Sequence, residues 1–129
     1  MILFKTVAAY MAVQAMMEQT FPYKTAHALL MMKRALQPHA EFFSGEEMKL
    51  VETFADKDIE TGNIVWLGKG TFRFAAGKNP EEYTKKRMEL SMLEIEWEHK
   101  KIKAPIPSSI TPAQIEALED FIEFEEEEI

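Results

Sequence analysis

The sequence predicts an α+β domain that is mainly helical, with a long second helix, a small antiparallel sheet built on a β-hairpin, and a C-terminal helix. Three observations carry that expectation. An apolar row passes through Thr25, Leu29, Met32, Leu36, Ala40, Phe43, Leu50 and Phe54 in steps of three, four or seven residues, the period of one helix face. Two β-rich runs, Ile64-Val65-Trp66-Leu67 and Thr71-Phe72-Arg73-Phe74, flank Gly68-Lys69-Gly70, a connection of hairpin length and composition. Asn79-Pro80-Glu81-Glu82 and Thr111-Pro112-Ala113-Gln114 each set a capping side chain before a proline whose missing N–H costs nothing in a first turn.

Taken in chain order, residues 5–19 are apolar on nearly all sides, and such a helix must be enclosed by other elements or by another subunit. Lys5 followed by Val13-Gln14-Ala15 has the ingredients of a signal peptide, but Tyr10 and Gln14 interrupt the apolar stretch, so a buried first helix is expected. The stretch is also short of the roughly 20 apolar residues that cross a bilayer. Phe21-Pro22-Tyr23 ends it. Within residues 25–55, Pro38 removes one helical bond and Ser44-Gly45-Glu46-Glu47 reads as a capping box. Either one helix bends at Pro38 or two helices meet near Gly45; the unbroken apolar row favours the bent one.

Asp56, Lys57 and Asp58 with Thr61-Gly62-Asn63 supply turn chemistry that stops the helix before the hairpin. Asn79 then opens a helix to about Ser91. Leu93, Ile95 and Trp97 alternate with Glu94, Glu96 and Glu98, a half-buried strand expected to add to the hairpin. Prolines 105 and 107 make residues 104–110 an extended spacer, barred from a sheet centre. Thr111 caps a last helix whose apolar face is Ile115, Leu118, Phe121 and Ile122, with fraying expected past Phe124 because Glu125 to Glu128 sit at its negative end. Residues 1–124 are thus expected to form a single domain and 125–129 a frayed acidic tail.

Composition narrows function. With 129 residues, 47% hydrophobic and 29% charged, the chain belongs with globular proteins large enough for a real core. It has no cysteine, which excludes disulfides, thiolate catalysis and cysteine metal sites and fits a reducing, cytoplasmic setting. Of 22 acids, eight stand at or beyond Glu116; the remaining 14 face 15 Lys and Arg, so the body is nearly neutral and the tail carries the net charge of -7. Nucleic-acid affinity needs a basic stripe; none is evident, although Lys33-Arg34, Lys85-Lys86-Arg87 and Lys100, Lys101, Lys103 could converge in space.

Catalytic constellations are missing from the spacing. His27, His39 and His99 lack the i, i+4 pairing by which one helix grips a metal ion, so no metal and no cofactor is expected. Glu94 and Glu96 share a strand face that alternation sets in water, where two carboxylates do not acquire the separated pKa values of an acid–base pair. Asp56-Lys57-Asp58 lacks the glycine and final glutamate of a calcium loop, and Gly68-Lys69-Gly70 is too short to cradle phosphate. Nine methionines draw attention instead. Met11, Met16, Met17, Met31 and Met32 crowd the first two helices, where they serve either core packing or an adaptable protein-interaction surface.

The order of signals resembles a family of small tailed-phage and prophage proteins without an assigned activity. The likeness spans residues 25–97 and rests on Asp56-Lys57-Asp58 with Gly62-Asn63, and on Glu81-Glu82-Tyr83 and Met88-Glu89-Leu90 leading to Glu94-Ile95-Glu96. It implies a phage origin and no catalytic residues. The first expectation is a non-enzymatic component that binds protein or assembles with copies of itself, without membrane or nucleic acid. An acidic inhibitor imitating nucleic acid, or a small enzyme whose site assembles only in three dimensions, are the alternatives.

Overall fold

A computed structural model describes residues 1–107 and 109–125. Helix α1 spans Leu3–Met16, α2 Tyr23–Phe54, α3 Pro80–Ser91 and α4 Pro112–Leu118; the strands are β1 Trp66–Gly68, β2 Thr71–Phe72, β3 Ile102–Pro105 and β4 Ile122–Glu125. β1 and β2 pair antiparallel, β3 and β4 parallel, as two separate two-stranded sheets. The α+β class, the long second helix and the hairpin are therefore as the sequence predicts.

α1 is the element about which the others gather. Leu3, Thr6, Val7, Ala9, Val13 and Met16 are buried against neighbouring elements, and the Thr6 hydroxyl satisfies itself on the Leu3 carbonyl at 2.6 Å. Its C-terminal half joins Ala28, Leu29, Met32 and Leu36 of α2 with Ala104, Leu118, Phe121 and Ile122 in the main core. Its first turns meet Phe43 and Leu90 in a second cluster. A third cluster under the hairpin holds Val51, Phe54, Ala55 and Phe72, and Leu50 packs against both the second and third.

α2 is one 32-residue helix with Pro38 inside it. Pro38 leaves the Arg34 carbonyl without its usual donor, and the apolar row on either side outweighs that loss. Ser44-Gly45-Glu46-Glu47 is not a helix start: these residues continue α2, since Phe43 and Val51 both lie buried on the same face. The other caps hold. The Asn79 side chain accepts from the Glu81 N–H at 2.9 Å, and Thr111 with Gln114 forms a reciprocal capping box at 3.2 and 3.0 Å.

Three expectations need correction. The segment 93–97 does not add to the hairpin; Glu94 bridges Ile2, the Leu3 N–H donates to the Leu93 carbonyl at 2.7 Å, and the Ile95 N–H donates to the Met1 carbonyl at 2.8 Å. Alternation fixes which face of a strand is wet, but not its partner, and here the backbone leading into α1 is the nearest unpaired edge. The last helix ends at Leu118, and Ile122–Glu125 is a strand. Glu119 and Glu123 would be like charges one turn apart at the negative end of a helix dipole, so continuing the helix is disfavoured. The proline-bearing segment is likewise no mere spacer, because its first part is β3.

The prolines are compatible with β3 for a definite reason. The Ile102 and Ile106 N–H groups donate to the Phe121 and Glu125 carbonyls, both at 3.0 Å, so the even-numbered residues bond to β4. The backbone groups of odd-numbered Lys101, Lys103, Pro105 and Pro107 point the other way. Proline's missing N–H falls on the open edge, where no ladder needs it. The expected fraying at residues 126–129 lies outside the described residues, whereas Glu125 belongs to β4.

Phe121 is almost wholly buried and stacks edge-on against Trp97 at 5.2 Å. Replacing it with alanine is expected to cost about 3–5 kcal/mol, against about 1 kcal/mol for Thr111→Ala at the helix cap. Urea unfolding of the two variants checks the ordering.

Candidate binding groove

Two adjoining concavities run between the first half of α2 and the extended segment 99–105. The larger, about 500 Å³, is lined by Tyr23, Lys24, His27, Ala28 and Met31 on the helix, and by Ile102, Lys103, Ala104, Pro105 and Glu125. The next, about 340 Å³, shares Met31 and Ile102 and continues through Met32, Arg34, Ala35, His99 and Lys100. Together they follow α2 from Tyr23 to Ala35, roughly 18 Å of helix at 1.5 Å per residue.

The helix spacing explains this wall. Thr25, Ala28, Leu29, Met32 and Leu36 face the core, while Tyr23, His27 and Met31 form the flanking row at intervals of four. Tyr23 is 80% exposed, and its ring lies stacked on His27 with centroids 5.7 Å apart. The floor is apolar; the rim carries Lys24, Arg34, Lys100 and Lys103, with Glu125 as the one lining acid. None of those four cations is in an ion pair among the described residues. Arg34 and Lys100, two of the bases named as candidates to converge, do share a concavity. Lys85, Lys86 and Arg87 lie apart from it on α3, where Arg87 pairs with Glu47 at 2.8 Å and Lys86 with Glu82 at 3.5 Å.

The methionines divide by face. Met16 and Met32 are 0% and 1% exposed and fill the core, whereas Met11, Met17 and Met31 are exposed. Of those three, Met31 lines the groove. Histidines are dispersed: His27 stacks on Tyr23, while His39 and His99 lie 5.7 and 4.7 Å from the Trp97 ring. Glu94 and Glu96 stand on an exposed face. Among the described residues no three His, Asp or Glu side chains are grouped to hold a metal ion, and no helix is long and apolar enough to cross a membrane.

A second hollow of about 350 Å³ lies between α2, the hairpin and α3, lined by Ser44, Glu47, Met48, Val51, Trp66, Gly70, Tyr83 and Arg87. Tyr83 packs edge-on against Phe54, Phe72 and Phe74 at 5.7, 5.2 and 5.6 Å. Burial, and then the Glu47 carboxylate, push its phenol above the ordinary tyrosine range, against a smaller lowering by Arg87. A phenol held neutral among aromatic rings is a packing group with a wet end. Asp56, Lys57 and Asp58 form a turn: the Asp58 carboxylate accepts from the Glu60 and Thr61 N–H groups at 2.8 and 3.1 Å, and Asp56 pairs with Arg73.

Comparison of the chain with protein-family models, with curated proteins and with solved structures finds no match. Sequence reasoning singled out Met31 as an interaction residue, weighed His27 only as a metal ligand, and did not name Tyr23 or Lys24; the signal that finds Tyr23 and His27 is their i, i+4, i+8 row with Met31 beside a fully apolar row.

Two measurements test this description. Met31→Glu is expected to change unfolding free energy by less than about 0.5 kcal/mol, while Met32→Ala, one residue on, costs about 2–5 kcal/mol. In alkaline absorbance titration Tyr83 should ionise above the ordinary tyrosine range, and Glu47→Gln should lower its midpoint while Arg87→Ala raises it. Because the folded pKa is the higher one, Tyr83 contributes stability that is present below the unfolded phenol's pKa and declines as pH rises through the folded one. Tyr83→Phe should flatten that alkaline decline.

Proposed function

We propose that this is a non-enzymatic, phage- or prophage-derived protein that works in the cytoplasm by binding another protein, with the groove along α2 as its docking surface. The observation that carries the reading is the exposed Tyr23 and His27 stack beside Met31, over the apolar floor between α2 and β3. Interface cores combine aromatic anchors and methionine with a charged rim. A methionine adapts its shape to the group it meets, and a tyrosine brings large contact area at little entropic cost. The order of motifs over residues 25–97 supports the phage origin.

Acid–base chemistry is less well served by the same residues. His27 is turned face-on to Tyr23 rather than toward a carboxylate, and the lining acid Glu125 stands among cations at the rim. A general base needs a group that orients it and a substrate proton within reach. Binding needs only the shape and chemistry described.

Selection from a displayed library of random peptides tests the reading, using the full chain as target. Peptides should be enriched whose affinity falls by at least about tenfold, or about 1.4 kcal/mol, when Tyr23→Ala is combined with Met31→Glu. No enrichment, or binders indifferent to both substitutions, would overturn it.

A further inference from the structure

We infer that the groove takes an extended segment of a partner protein in which acidic and apolar residues alternate, laid as a third strand along the open edge of β3. This deepens the protein-binding reading above and rests on it. Three independent observations converge on it: the direction of the β3 backbone, the charge of its outer face, and the strand that already occupies its other edge.

The backbone comes first. Since even-numbered residues bond to β4, the Lys103 N–H and C=O and the Lys101 C=O point away from β4, and Lys103 is among the residues lining the groove. Of the outward carbonyls, that of Pro105 is engaged by the Thr25 hydroxyl at 3.3 Å. Pro105 has no N–H to offer, so a guest ladder ends there and centres on Lys103. An unpaired edge of this kind is a template for strand addition.

Side-chain alternation then specifies the guest. Ile102 and Ala104 face the core, so the guest's residues on that face rest on Ala28 and Met31. Its residues on the opposite face lie beside Lys101 and Lys103, which are exposed and unpaired among the described residues. Acids belong there, because opposite charges on neighbouring strands attract and like charges repel. The far edge of β3 shows the pattern in place: β4 reads Ile122-Glu123-Phe124-Glu125, with Glu123 in register with Lys103. That strand cannot serve as the guest from a second copy without leaving its own core, since Ile122 is buried there. A nucleic acid lacks the alternating N–H and C=O groups that a strand edge selects.

Fluorescence anisotropy on the full chain decides the matter with four labelled probes: a peptide repeating Ile-Glu-Phe-Glu, the same peptide with lysine for glutamate, the acidic peptide N-methylated at alternate amides, and oligodeoxythymidine. The acidic peptide is expected to bind. N-methylation should weaken it by at least about tenfold, as should Lys101→Gln with Lys103→Gln, and Lys103→Arg should restore affinity. Both lysines are exposed, and thermal melts verify that the variants fold. Equal binding of the lysine or N-methylated peptide overturns the acidic-strand mode, while groove-dependent library binders would leave the protein-binding reading standing. Oligodeoxythymidine binding without peptide binding overturns both. Self-association that depends on Lys103, without peptide binding, assigns the edge to a second copy and overturns the inference.

Discussion

Covering one face of α1 is the constraint on which the rest of this fold depends: the expected full enclosure is not met, since Phe4 and Met11 stay exposed, but Leu3, Thr6, Val7, Ala9, Val13 and Met16 are all buried. Val13 and Met16 need α2 on one side and the C-terminal elements on another; Leu3 and Val7 need Phe43 and Leu90. Burial of each such side chain is worth on the order of 1.5–3 kcal/mol, more than any one cap or surface ion pair in the molecule contributes. The length of α2 follows from the same demand. A helix of 32 residues can line α1 and still reach the hairpin, so one apolar face serves all three core clusters.

Legibility in the sequence tracked the range of the interaction that decides each element. Caps are local, and Asn79 and Thr111 stand where their neighbours indicate. Periodicity is nearly as local, which is why α2 is readable through Pro38 and why Ser44-Gly45-Glu46-Glu47, a sound capping pattern by itself, yields to the stripe around it. Pairing is decided at long range. Nothing within 93–97 says that Met1 to Leu3 will be its partner, and nothing within 102–105 announces Ile122–Glu125, whose apolar residues also fit a helix face.

The groove was half legible for the same reason. Its helical wall is encoded in a row of residues four apart, whereas its other wall exists only because β3 is held beside α2 by a parallel partner from the end of the described chain. Charge behaved similarly. Counting placed the negative charge at the C-terminus, but it took the register of β4 on β3 to set Glu123 beside Lys103.

The position of those last elements also has a consequence for biosynthesis. Leu118, Phe121 and Ile122 complete the core around α1, and they are among the last described residues to leave the ribosome. Until they emerge, the side of α1 that they cover stays open even though α2 and α3 have already been made, so the lid on the main core follows α1 by about a hundred residues of synthesis. Domains generally fold as units during synthesis; this one completes its main core only once Ile122 has emerged.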